Sequence, residues 1–186
     1  MNGQNIIIAL LLIIAGLVWG WRNLHDQGTE EPTVMQQTPD FTASDLYTVT
    51  YNKLGLVRYR IYADGMKYYE RNQTTDFDSP RILIYPGPDK PVWQIVSRQA
   101  QALRQDKVTF KEDVVVKNLS NDGYIQDLLT PLLHVNLTNQ TMQTDKQVTV
   151  NGPQYDQNGI GMNGSLVTEE VRLHQDINAV YHNEEN

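Results

Sequence analysis

The chain has no cysteine. That excludes disulfides, a thiol nucleophile and any cysteine-based metal site, and it leaves the redox compartment open. Charge is missing from the first 21 residues, none of which is Asp, Glu, Lys, Arg or His. Phenylalanine is scarce, with 3 residues against 10 tyrosines, so aromatic bulk mostly carries a polar tip. There is no Gly-x-Ser-x-Gly, no glycine-rich phosphate loop and no His-Glu-x-x-His. The histidines (His25, His134, His174 and His182) are dispersed, and no carboxylate pattern accompanies them. The pairs Glu169-Glu170 and Glu184-Glu185 are adjacent, and neighbours in a strand point to opposite faces. These absences imply no catalytic residue, no metal and no cofactor. Basic residues are also in deficit, 15 against 22 acidic, for a net charge of −7. Phosphate backbones need a basic surface, so nucleic acid is a poor candidate partner.

The uncharged start is an Ile, Leu, Val, Ala, Gly and Trp run from Ile6 to Trp21. As a helix it covers roughly 24 Å, a little short of a ~30 Å hydrocarbon core. Asn2 and Asn5 can sit among headgroups, Trp19 and Trp21 fall where an interfacial aromatic belt lies, and Arg22 ends the run. A cleaved signal peptide needs a basic start and a small-residue cleavage site. Here the run ends in Val18-Trp19-Gly20-Trp21, which favours a retained single-pass anchor over a cleaved signal or a buried helix. Residues 1–22 are therefore expected to be a transmembrane helix. Residues 23–42, with Gly28, Glu30, Glu31, Pro32 and Pro39, are expected to be a flexible spacer. Residues 43–186 are expected to be one domain standing outside the cytoplasm, large enough for a core of its own.

From Leu46 onward the hydrophobic period is two. In Val57 to Ala63 one face carries Val57, Tyr59, Ile61 and Ala63, the other Arg58, Arg60 and Tyr62. Asp64-Gly65 reads as a turn into Met66-Lys67-Tyr68-Tyr69. Arg81 to Tyr85 and Val92 to Ser97 read as strands, separated by a proline-rich loop. Asp122-Gly123, Asn151-Gly152, Asn158-Gly159 and Asn163-Gly164 are further turn signals. Helical patterning competes only over Glu169 to Ile177. Leu103, Val108, Val114 and Val116 recur 34 residues later as Leu137, Met142, Val148 and Val150. A repeat of that length implies hairpins stacked along an axis. The expected fold is an all-β antiparallel roll with an apolar inner face and open end strands. Three readings fit: a lipid relay, an anchored adaptor that pairs β edges without holding lipid, and an anchored hydrolase. A continuous apolar interior favours the first, a sealed core the second, and converging carboxylates or a Ser/His pair the third.

Order and spacing of several short motifs carry a family resemblance. They are Tyr51-Asn52 with Gly55 and Tyr59-Arg60, then Tyr68-Tyr69, and Pro91-Val92-Trp93 with Ala100 and Ala102 downstream. Asp127, Val135-Asn136-Leu137, Val148-Thr149-Val150-Asn151-Gly152, Asn158-Gly159-Ile160 with Met162 and Gly164, and Tyr181 continue the series. In these the chain resembles the LptC family of lipopolysaccharide transport over nearly its whole length. It departs from the family in lacking lysine or arginine before the anchor. The resemblance implies an antiparallel β-jellyroll of the elongated OstA/LptA-like kind behind one inner-membrane helix, with the domain in the periplasm of a Gram-negative bacterium. It implies that lipopolysaccharide arrives from an inner-membrane ABC transporter (LptB, LptF, LptG) and leaves to an LptA-type bridge protein. Leu46, Phe77, Val171 and Tyr181 match positions facing the lipid-holding interior. Gly152 matches a glycine that contributes to complex assembly, with a turn requiring φ > 0 as its plainer role. Val171, Leu173, Ile177 and Tyr181 fall on the strand that would add edge-to-edge to the bridge protein. The acidic balance implies that lipid affinity rests on acyl chains rather than phosphates.

Overall fold

Alternating apolar residues build most of the described chain as strand, joined by turns and loops. The computed structural model describes residues 38–182, apart from 105, 121 and 122. Eleven strands follow one another: β1 (Phe41–Tyr51), β2 (Val57–Tyr69), β3 (Thr74–Asp78), β4 (Arg81–Ile84), β5 (Trp93–Val96), β6 (Gln99–Leu103), β7 (Lys107–Asn118), β8 (Asp127–Asn136), β9 (Thr141–Asn151), β10 (Tyr155–Ser165) and β11 (Glu170–Tyr181). The expected anchor at 1–22 lies outside the described residues. So does the expected spacer up to residue 37, and β1 begins at Phe41, inside that segment. No helix among the described residues is long and apolar enough to cross a membrane.

Every pairing is antiparallel, and pairings that skip a strand in sequence arise where one strand is interrupted. Asp78 of β3 and Arg81 of β4 pair with Gly65 and Tyr62 of the same β2, and with Gln99 and Val96 on the other side. The strands β3 and β4 are thus two halves of one strand interrupted at Ser79-Pro80, and β5 and β6 likewise at Ser97-Arg98. Merging each pair leaves nine strand lengths in simple up-and-down order.

Most of these lengths are broken near the middle. Register shifts fall between Lys111 and Val114, Leu129 and His134, Asn158 and Ile160, and Ile160 and Met162. Asp45, Ser79, Glu112, Asp113, Gly161 and Asp176 have φ between 49° and 75°. Bulges bend a strand, and aspartate and glycine tolerate the left-handed conformation better than other residues. The breaks align into a crease, along which the sheet folds into two facing layers. The crease also resets side-chain parity. In β8, Leu128 and Thr130 face inward before it, and Leu133 and Val135 after it. Without the irregularity, one of the two halves would turn its apolar set to solvent.

Inward residues of both halves merge into one core that includes Ile82, Trp93, Ile95, Phe110, Val116, Leu128 and Val148. The repeat shows directly in it. Val108, Val114 and Val116 of β7 and Met142, Val148 and Val150 of β9 are all buried, at matching positions two strands apart. Some sequence expectations fail because paired strands on both sides hold turn-like residues extended. Asp64-Gly65 is not a turn, because β2 runs straight through it and Gly65 pairs with both Ser44 and Asp78. Asn158-Gly159 and Asn163-Gly164 lie within β10, where Gly161 supplies the positive φ of the bend. The stretch from Glu169 to Ile177 enters β11 and is not helical.

Candidate acyl cavity and open C-terminal edge

Two side chains tie the layers together on the side opposite the crease. Arg58 Nη2 donates to the carbonyls of Leu137 and Thr138 in the β8–β9 turn, at 2.7 and 3.1 Å. Trp93 Nε1 donates to the carbonyl of Leu166 in the β10–β11 turn at 3.0 Å. A strand in one layer therefore faces a turn some four strands further along in the other. That offset leaves the layers unequally covered at the two ends.

At the N-terminal end the offset leaves a cavity of about 260 Å³, lined by Leu46, Tyr59, Ile61, Met66, Phe77 and Leu137 among others. Thr48, Thr50 and Thr75 add hydroxyls to its wall. No carboxylate, histidine or lysine lines it, so the cavity can bind but offers no acid or base. Its volume is just under the roughly 300–1,000 Å³ of small-molecule sites, room for part of one acyl chain. Beyond it the interior is closed, since Trp93, Ile95, Val116, Leu128 and Val148 have no exposed surface.

At the other end the offset leaves β11 uncovered. Every side chain from His174 to His182 is exposed, Ile177 at 58% and Tyr181 at 72%. The outer edge of β11 pairs with no strand of the described chain. Tyr181 packs on Tyr155 with ring centroids 6.4 Å apart, and Tyr155 Oη donates to the Tyr124 carbonyl at 2.9 Å. His182 Nε2 sits 2.9 Å from Asp156 Oδ2. Burial, and then the neighbouring Tyr181, raise the Tyr155 phenol above its usual 10.0. A raised folded-state value contributes stability that is intact below about pH 10 and lost as pH rises past it. Tyr155→Phe is expected to make the alkaline fall in stability shallower, as read by urea melts at about pH 9 and about pH 11.

The sequence-predicted residues therefore separate into two places. Leu46 and Phe77 share the cavity. Val171 packs partly buried against the core, and Leu173 is buried beside it; Ile177 and Tyr181 sit on the exposed half of β11. Gly152 occupies the β9–β10 turn, and its N–H donates to the Tyr155 carbonyl at 2.8 Å. Among the described residues the positive-φ glycines are Gly55 and Gly161, so Gly152 is not there for its dihedral. Space decides instead, since an added Cβ would lie 2.6 Å from Tyr155 Cζ and 2.8 Å from the Tyr124 carbonyl oxygen. Sequence reasoning missed Arg58 and Trp93 as cross-layer ties. Trp93 stands inside a quoted motif and Arg58 in the alternating run from Val57 to Ala63, but only the fold brings the distant turns to them.

Among the described residues no group of three or more His, Asp or Glu could hold a metal ion. The family model described as "Lipopolysaccharide-assembly, LptC-related" matches residues 6–182. The chain is 23% identical to the lipopolysaccharide export system protein LptC of Haemophilus influenzae, over 95% of this chain and 93% of that protein. It is 22% identical to the protein of the same name in Escherichia coli K12, over 95% and 92%. Among solved structures it is similar to LptH of Pseudomonas aeruginosa, described as the LptA-homologous periplasmic component of the lipopolysaccharide transport device. The TM-score is 0.52 at 8% identity, covering 67% of this chain and 95% of that one. That likeness bears on the fold alone, and it is the jellyroll-like fold that the sequence implies.

Proposed function

Since the chain belongs to the LptC-related family of lipopolysaccharide assembly, a component of the lipopolysaccharide export system, we propose that it relays the lipid by holding an acyl chain at the N-terminal mouth and docking its acceptor on β11. Residues 1–22 would hold it in the inner membrane, and the spacer would let the domain stand off in the periplasm. Lipopolysaccharide would enter from the LptB, LptF and LptG transporter on the β1 side, the strand that follows the anchor and spacer in sequence. An LptA-type bridge protein would add its first strand to β11. The observation that carries this reading is the pairing of an apolar cavity at one end with an unpaired apolar strand edge at the other.

Binding without chemistry suits the cavity. Burying apolar area gains about 25 cal/mol per Å², and no reactive group lines the wall. A cavity this small takes one chain segment at a time, so passage toward β11 would require the two layers to part along the side opposite the crease. Leu46 and Phe77 would touch lipid first. Val171 and Tyr181 would meet it later, at the junction with the bridge protein.

A second reading has an observation of its own. The sealed middle of the roll, where Trp93 and Leu128 are fully buried, fits an adaptor that pairs strand edges and never carries lipid. In-cell photo-crosslinking separates the two. A benzoylphenylalanine at Phe77, and separately at Tyr181, is expected to give an ATP-dependent lipopolysaccharide adduct at both positions. No adduct at either, in a protein that still captures its bridge partner, would leave the adaptor.

A further inference from the structure

We propose that Arg58 is the anion-recognising half of the acyl site, so that the cavity and this guanidinium together select a phosphorylated amphiphile. The inference rests on the lipid-relay reading and adds a headgroup to it.

Position comes first. Arg58 precedes Tyr59, a cavity residue, and its Nη2 is bonded to the carbonyl of Leu137, another cavity residue. The guanidinium is thus fixed at the cavity rim, partly exposed. Both of its hydrogen bonds leave from Nη2, so Nε and Nη1 remain available as donors. A guanidinium presents five N–H groups in a rigid fork that matches phosphate geometry. One corner of that fork is tethered here and the rest is free. The tether also lowers the entropic cost of binding, because the long side chain is already held.

Charge comes second. Ion pairs among the described residues involve Lys67, Arg98, Lys146 and His182. Among the described residues Arg58 has no carboxylate partner, and neither have Arg60 on β2 and Arg81 on β4. Arg60 places its guanidinium over the Tyr85 ring and Arg81 over the Tyr62 ring, and Arg60 Nε is buried without a hydrogen bond. In a chain of net charge −7, Arg58 holds its charge beside a cavity residue with no ion pair among the described residues. The net charge misleads at this point, because the guanidinium beside the mouth through which an acyl chain would enter has no carboxylate partner among the described residues. A phosphate attached to the same lipid would reach Arg58 while its chain occupies the cavity.

The test uses the full chain in phosphatidylcholine nanodiscs with a photo-crosslinking residue at Phe77. Two probes share one acyl pattern: a bis-phosphorylated lipid A and its dephosphorylated form. The adduct yield is expected to favour the phosphorylated probe by roughly tenfold, the scale of a charge-assisted contact. Arg58→Gln should bring the two yields within about twofold by lowering the phosphorylated one alone, and Arg58→Lys should keep an intermediate preference. A preference that persists in Arg58→Gln overturns the headgroup site and leaves the cavity standing. Equal loss of both adducts makes Arg58 a tie for the turn and overturns it too. Absence of any adduct with either probe in the unsubstituted protein overturns the lipid cavity itself, and this inference with it.

Discussion

Trp93→Ala is expected to remove about 3–5 kcal/mol of stability, the usual loss for a fully buried tryptophan. Trp93 has no exposed surface, and it stands between the two layers rather than within one. Three losses combine. The largest apolar body at the centre disappears, a cavity opens that a creased sheet cannot close by sliding, and the Leu166 carbonyl loses its donor from the facing layer. Domains of this size are stable by about 5–15 kcal/mol, so the variant should be close to unfolding at ordinary temperature. Circular dichroism in urea checks this through the fall in midpoint at unchanged slope. Trp93→Phe keeps most of the bulk and deletes the donor, and it should cost about 1–3 kcal/mol. A loss under about 1 kcal/mol for Trp93→Ala would mean that the layers do not depend on this tie.

With an LptA-type bridge protein docked on β11 as proposed, Gly152→Val is expected to weaken its capture sharply while the domain stays folded. The turn has no room for a side chain. A Cβ at 152 would meet the Tyr155 ring and the Tyr124 carbonyl that Tyr155 hydrogen bonds. Tyr155 must move, and it is the ring on which Tyr181 rests. The disturbance therefore runs from a turn to the last residue of β11, whose exposed half is paired with β10 alone. Side chains in the exposed half of β11 are already in water, so the stability loss should be modest, about 1–2 kcal/mol. Partner pulldown should fall by at least about tenfold, equivalent to 1.4 kcal/mol in binding. Normal pulldown with a displaced Tyr155 would separate the turn from the docking edge.

Alternation made the strands legible. Ile82 and Ile84, or Trp93 and Ile95, announce an inward face without help from any relative. The spacing of 34 residues anticipated that β7 and β9 occupy equivalent places. What the chain concealed was the crease. Asp64-Gly65 carries the chemistry of a hairpin turn, yet partners on both sides hold it extended. The Asn-Gly pairs of β10 are likewise turn-like in isolation, while their glycines answer to close neighbours. Gly159 would put a Cβ 3.1 Å from the Gln175 carbonyl oxygen, and Gly164 one 2.8 Å from Met142 Cε. Local chemistry cannot distinguish a tight turn from a bend inside a paired strand, because the deciding contacts come from other strands. The candidate lipid residues were legible for the same mixed reasons. Leu46 and Phe77 converge because β1 and β3 both flank β2, which pairing order alone implies. The separation of Val171 and Tyr181 from them follows from the offset between the layers, which no local pattern encodes.

The up-and-down order has a consequence for length. No pairing closes the described sheet on itself, and each strand contacts the one before and the one after. In its hydrogen bonding such an assembly is quasi-one-dimensional, a series of similar nearest-neighbour steps as in solenoids, while the shared core, Arg58 and Trp93 join the layers across it. Adding a strand of another chain after β11 repeats the step that added β11 to β10. In hydrogen-bonding terms, a chain docked on β11 as proposed would continue the same series of strands, and the span of such a filament would be set by how many chains joined it in series.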